Sequence, residues 1–297
     1  MAKEQKQNRK KPIESLSVAH LAFSFKRKRI LQDVNFTVSK GNYALLAPNG
    51  AGKTTLLRCL SLLFPQAQSA LRVNGQAVKK RKDYFDYLGY LPQQFNIYPQ
   101  LTLCQGLELI SSYKGLPKES LSQEIHRVTE LVHLENCLDQ KLATFSGGMM
   151  RRVGIAQTFL GDPDILLFDE PTAGLDIEER TRFKSIIAQL SGKKIILMST
   201  HLVEDVETTC PNILLIRSGQ VLGPLSQEEI KERAQGLVYQ VKEEEQSALQ
   251  SPYLVIRQFR RKQTLYSRVL SAQFQNIPSV SPELEDGYLC IIKNIPS

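Results

Sequence analysis

Residues 16–25 and 34–38 alternate between apolar and polar positions, and that period of two predicts a pair of antiparallel strands. A short unbroken apolar run follows at 43–46, the pattern of a buried strand, and a glycine-rich turn then opens a helix over 53–63. Between about 95 and 161 the period lengthens to that of a helix, with helices predicted at 102–114, 118–134 and 148–160. Apolar runs return at 165–169, 194–200 and 212–216, the last of them completing an α/β core.

A capping-box pattern, Ser226 with Glu229, starts a helix running to about residue 234. After it, residues 237–242, 253–259, 264–270 and 288–292 read as strands of a small α/β appendage. The expected division is a basic disordered tail at 1–12, a large α/β domain at 13–224 and an accessory domain at 225–297. A hydrophobic content of 42% is enough to fill a core of that size.

Charge adds little to this picture. The net charge is +8, of which residues 1–12 supply +4 through five Lys or Arg against Glu4. Residues 225–297 carry nine basic and nine acidic groups, so 13–224 is left with +4. The basic runs at 26–29 and 79–82 read as solvated surface rather than contacts for lipid or RNA, and nucleic acid is not an expected partner. No apolar run approaches the roughly 20 residues of a membrane span, and the first residues are charged rather than signal-like. The five cysteines are scattered and lack CxxC spacing, as in reduced thiols of a cytoplasmic protein.

The chemistry lies in the motifs. Ala47-Pro48-Asn49-Gly50-Ala51-Gly52-Lys53-Thr54-Thr55 joins the strand at 43–46 to the helix that follows. Closely spaced glycines let backbone N–H groups turn toward phosphate oxygens, Lys53 adds a cation, and Thr54 offers a hydroxyl to Mg²⁺. Phosphate loops of this kind begin with glycine, and here Ala47 stands in that place. Alanine avoids positive φ, so either Ala47 takes an ordinary β or α conformation, the favoured reading, or the loop is locally strained. Roughly 116 residues after Lys53, an apolar strand ends in Asp169-Glu170. One carboxylate can help hold a metal and the next can polarise a water. Phe145-Ser146-Gly147-Gly148 opens a helix whose N-terminus offers a hydroxyl and N–H groups to another anion.

The order and spacing of these motifs resemble those of the ATP-binding cassette family over residues 13 to about 224. The elements are the phosphate loop, Gln93 after Gly89-Tyr90-Leu91-Pro92, Ser146-Gly147-Gly148, Asp169-Glu170, Leu175-Asp176 and His201. The resemblance implies a P-loop NTPase core with an antiparallel β subdomain and a helical signature subdomain at about 95–161. It implies ATP and Mg²⁺, with residues 47–55 around the phosphates and Thr54, Gln93 and Asp169 around the metal. Glu170 would act as general base or water-positioning carboxylate, helped by Gln93 and His201, and Asp176 would lie at the nucleotide. Phe25 matches the aromatic that stacks on adenine, unless its alternation with Leu21 and Phe23 places it in the core.

In the family, Ser146, Gly147 and Gly148 would close on ATP held by a different cassette. One chain has one phosphate loop and one signature, so the resemblance implies a two-fold, head-to-tail dimer with a second ATPase subunit. Ser-Gly-Gly-Met followed by Arg-Arg resembles the exporter-type branch, whose ATPase pairs with a separate integral membrane permease, placing this chain on the cytoplasmic face of the cell membrane. Residues 95–101, with apolar Phe95, Ile97, Tyr98 and Leu101, are either the groove for the permease or inward-facing core. The alternative is a soluble ATPase of the same superfamily acting on ribosomes or nucleic acid. A translation-factor member would carry two cassettes, and a chromosome-maintenance member a long coiled coil between phosphate loop and signature. Here Lys53 and Ser146 are 93 residues apart.

Overall fold

The computed structural model describes residues 11–273 and 275–296, so the tail expected at 1–12 lies almost wholly outside the described residues. Strands β1 (Ser15–Phe25) and β2 (Lys28–Ser39) pair antiparallel, with Leu16 opposite Val38 and Leu21 opposite Val34. The other edge of β1 takes β4 (Leu71–Val73), which pairs with β5 (Gln76–Ala77). Leu16 with Val18 and Leu21 with Phe23 are buried at the predicted period of two, and an irregularity in the pairing between Val18 and Leu21, where His20 takes φ +54°, shifts the phase by one residue.

The central sheet has the order β10-β9-β3-β8-β7-β6. It comprises β3 (Gly41–Leu46), β6 (Leu88–Leu91), β7 (Ile165–Asp169), β8 (Ile195–Thr200) and β9 (Asn212–Arg217), all parallel, with β10 (Gln220–Ser226) antiparallel at one edge. Alternate side chains serve two cores. Leu45, Leu167, Leu197 and Leu214 meet α1 (Lys53–Leu60), α2 (Arg81–Phe85) and the antiparallel sheet. Leu46, Phe168, Met198 and Leu215 face α3 (Leu103–Lys114), α4 (Leu121–Leu131), α5 (Gly147–Thr158), α6 (Ile177–Leu190) and α7 (Val203–Thr209). Covering both faces is what makes these strands uniformly apolar.

Two helices are shorter than their apolar patterns. The one predicted over 53–63 stops at Leu60, because Leu62 takes φ +56°. The one predicted over 118–134 is a 3₁₀ turn at 118–120 followed by α4, and His133 at φ +52° ends the run. Strand β10 has no alternating signature because Gly223 and Pro224 interrupt it, which an edge position tolerates.

After α8 (Gln227–Glu232), β11 (Val238–Lys242), β12 (Leu254–Arg261) and β13 (Thr264–Leu270) form an antiparallel sheet of order β11-β13-β12. The strand predicted at 288–292 is instead part of a helix, α9 (Leu284–Lys293). The apolar run misleads because this helix lies between two clusters: Tyr288 and Ile291 pack on the main core, Leu289 and Cys290 on the appendage. Gly287 allows α9 to cross α8 closely, since an added Cβ would sit 1.8 Å from the Ile230 carbonyl oxygen. Among the described residues, no helix is long and apolar enough to cross a membrane.

Arg268 and Asp286 join β13 to α9 with side chains 2% and 1% exposed, Nε lying 3.0 Å from Oδ1. Removing Arg268 leaves the buried Asp286 charge with the Glu283 N–H as its one remaining donor among the described residues. Arg268→Leu is expected to destabilise the appendage by about 3 kcal/mol or more, and Arg268→Leu with Asp286→Leu to recover most of the loss, as read by urea unfolding of the full chain.

Candidate functional site

The parallel register brings the ends of β3, β7 and β8 together, with Leu46 opposite Thr200 and Asp169 opposite Ser199. Beyond those ends the chain turns through Ala47–Gly52, Glu170 and His201, so chemistry from three distant segments meets at the carboxyl edge of the sheet.

Gly50 and Gly52 take φ +77° and +111°, while Ala47 does not adopt a positive φ. The missing first glycine therefore strains nothing. The φ of Gly52 favours glycine, and a Cβ there would also crowd Ile30, lying 3.1 Å from its Cγ2. Gly52 caps α1 without a side chain, leaving the first-turn N–H groups of Lys53, Thr54 and Thr55 for an anion. Pro48, Asn49 and Gly50 are exposed and Ala51 is half-buried, but Lys53 is only 6% exposed. Its Nζ donates to the carbonyls of Ala47 at 2.7 Å and Pro48 at 3.2 Å. Burial pulls the Lys53 pKa down, against the opposing pull of Glu170 and Asp169.

Asp169 is fully buried. Its Oδ1 accepts from Ser199 Oγ at 2.6 Å and from Thr54 Oγ1 at 3.2 Å, and its Oδ2 is buried with no partner. Glu170 takes φ +49°, and its N–H donates to both the backbone oxygen and Oγ of Ser199. Gln93 Nε2 donates to Glu170 Oε2 at 3.3 Å, and His201 Nδ1 lies 3.4 Å from Oε1. Lys53, Thr54, Gln93, Asp169, Glu170 and His201 thus form one cluster.

Other sequence-selected residues lie apart. Ser146 caps α5 by accepting from Met149 N–H at 3.2 Å; no hydrogen bond or ion pair among the described residues joins Ser146, Gly147 or Gly148 to the 47–55 turn. Asp176 caps α6, accepting from Glu179 N–H at 2.8 Å. Phe25 is 45% exposed and touches Phe23 and Phe64 edge-on, so it is not a core residue. In the 95–101 segment Phe95, Ile97 and Leu101 pack on the core and Tyr98 is 58% exposed, so three of the four apolar residues face inward.

Two cluster residues escaped sequence reasoning. Ser199 bridges Asp169 and Glu170, yet a serine at a strand end carries no signal of its own. Arg151 is 7% exposed and bonds to carbonyls on both sides of the site. Its one trace in the sequence was the Arg-Arg pair after Ser-Gly-Gly-Met, which carried a family resemblance but no role for the side chain.

A glycine turn before a helix N-terminus, a buried carboxylate beside a helix-borne hydroxyl and a second carboxylate held at the sheet edge are the arrangement of a P-loop nucleotide triphosphatase fold. A family model described as ABC transporter matches residues 31–173. The ABC transporter ATP-binding protein NatA of Bacillus subtilis (strain 168) is 33% identical over 225 residues, covering 73% of this chain and 92% of that protein. Nod factor export ATP-binding protein I of Burkholderia lata is 33% identical over 215 residues, covering 70% of each. A solved ATP-binding subunit of an ABC transporter superposes with a TM-score of 0.67 at 28% identity, covering 73% of this chain and 92% of that one. The chain belongs to the ABC transporter ATP-binding family and is an ATP-hydrolysing subunit that drives transport.

Because Ala47 is unstrained and buried, restoring glycine should bring no advantage. Ala47→Gly is expected to lower stability by about 0.5–1 kcal/mol in thermal unfolding and to leave ATP affinity within about two-fold in nucleotide titration. A large gain in affinity would show that alanine limits the loop.

Proposed function

We propose that this chain is the ATPase subunit of an ABC exporter, docked on an integral membrane permease at the cytoplasmic face and acting as a head-to-tail dimer around two ATP. The observation that carries the reading is the grip of Gln93 and His201 on Glu170, beside the Asp169–Thr54 pair and Lys53. Residues 13–224 form the ATPase domain and 225–297 an accessory domain. Export is supported by relatives named for Nod factor export and linearmycin resistance.

In this reading ATP phosphates lie along residues 47–55 and replace the Ala47 and Pro48 carbonyls as partners of Lys53. Phe25 offers an exposed ring to the adenine, and Asp176 lies at the nucleotide. The orphaned Oδ2 of Asp169 suits a divalent cation and its waters, so Thr54, Asp169 and Gln93 are the residues that would hold Mg²⁺. Bound there, Mg²⁺ would neutralise phosphate charge. Glu170 accepts a proton from the attacking water, and His201 and Gln93 fix its carboxylate. Ser146, Gly147 and Gly148 of the second copy cap the triphosphate with a hydroxyl and a helix N-terminus. ATP favours the closed dimer and ADP the open one, and that difference in affinity supplies the work.

Glu170→Gln keeps the shape of the site and removes its base. It is expected to bind ATP, to lower hydrolysis at least about 100-fold, and to trap a dimer of about twice 33.6 kDa with ATP and Mg²⁺, read by light scattering. A monomer at saturating nucleotide would exclude the head-to-tail arrangement.

A further inference from the structure

Arg151 sits on α5 one turn beyond the Ser146 cap and makes no ion pair among the described residues. Its guanidinium is spent on backbone carbonyls instead. Nε donates to Pro171 at 3.1 Å; Nη1 donates to Pro92 at 2.9 Å and Gln93 at 3.0 Å; Nη2 donates to Asp169 at 2.8 Å and to Glu170. One buried cation therefore holds the main chain on both sides of the Gln93–Glu170 contact. The left-handed backbone of Glu170 is unfavourable for a residue with a side chain and persists only where surrounding bonds over-determine it. Arg151 on its carbonyl and Ser199 on its N–H supply them.

The same helix is tied elsewhere. Arg152 pairs with Glu179 at 2.9 Å and donates to the Val132 and His133 carbonyls at the end of α4. A shift of the Ser146–Gly148 end is thus carried through α5 rather than absorbed in a loop.

We propose that Arg151 is a positioning residue coupling the two nucleotide sites of the dimer: engagement of Ser146–Gly148 with the nucleotide of the second copy is transmitted through the Arg151 guanidinium to Gln93 and Glu170 of its own chain. This rests on the head-to-tail reading above. Arg151 touches no substrate. It sets the path of the chain segments that do.

The test is Arg151→Lys, which keeps the charge and loses the planar fork. In the full chain, kcat is expected to fall on the order of 100-fold with KM for ATP little changed, because misplacing a reacting group by about 1 Å costs that much. The Hill coefficient for ATP should drop from about 2 toward about 1. Differently tagged copies locate the effect. Glu170→Gln in one copy confines hydrolysis to the site whose Glu170 is intact. Arg151→Lys on the copy with intact Glu170 should abolish most of the remaining activity, whereas on the copy carrying Glu170→Gln it should change little. Loss only in the second placement would mean that Arg151 merely shapes the signature. Equal loss in both, or none in either, would also overturn the proposal. Arg151→Gln, compared in the same two placements, provides an independent variant should the lysine protein fail to fold. The dimer reading is checked first and separately, by light scattering of Glu170→Gln alone.

Discussion

Asp169 Oδ1 accepts two hydroxyls, Ser199 Oγ at 2.6 Å and Thr54 Oγ1 at 3.2 Å, and those bonds tie β7, β8 and α1 at one buried point. A fully buried carboxylate is tolerable only where donors compensate for lost water. Here two are in place and one oxygen stays open. The rest of the site is organised around that carboxylate: Lys53 lies beside it, Glu170 follows it in the chain, and Ser199 hands the Glu170 N–H its second acceptor.

Cations on carbonyls hold the helical region to this centre. At the far end of α5, Lys114 donates to the Leu160 carbonyl at 2.8 Å and Arg127 to that of Phe159 at 2.8 Å. Burial brings the Lys114 pKa down to about 8. Arg127 is itself oriented by Glu124, which also accepts from Gly161 N–H. Positive charge at a helix C-terminus complements its dipole, so the signature helix is secured at both ends by groups suited to their polarity. Arg151 connects the helix held in this way to the sheet edge through the carbonyls of Asp169 and Glu170.

The appendage is joined to the core rather than tethered. Leu284 and Ile230 belong to the main hydrophobic cluster, and Arg217 of β9 donates to the Ile291 carbonyl of α9 at 2.8 Å. Its sheet has its own small cluster around Val238, Leu270 and Cys290. Helix α9 therefore belongs to both units.

The amino-acid order alone announces the strand–helix alternation, the glycine turn and the two carboxylates, because each depends on local rules. Those rules are the period of two or 3.6, the positive φ of Gly50 and Gly52, and the placing of charge at strand ends. It also placed Thr102 and Ser226 at helix starts, where capping boxes formed. That the run at 288–292 is helical emerges only on folding, because its apolar residues serve two different cores. The same holds for the halting of helices at Leu62 and His133, whose left-handed φ values no local pattern announces. The roles of Ser199 and Arg151 were likewise invisible in the sequence: a hydroxyl or a guanidinium acquires a function only from the carboxylate and carbonyls that the parallel register brings to it across long stretches of chain.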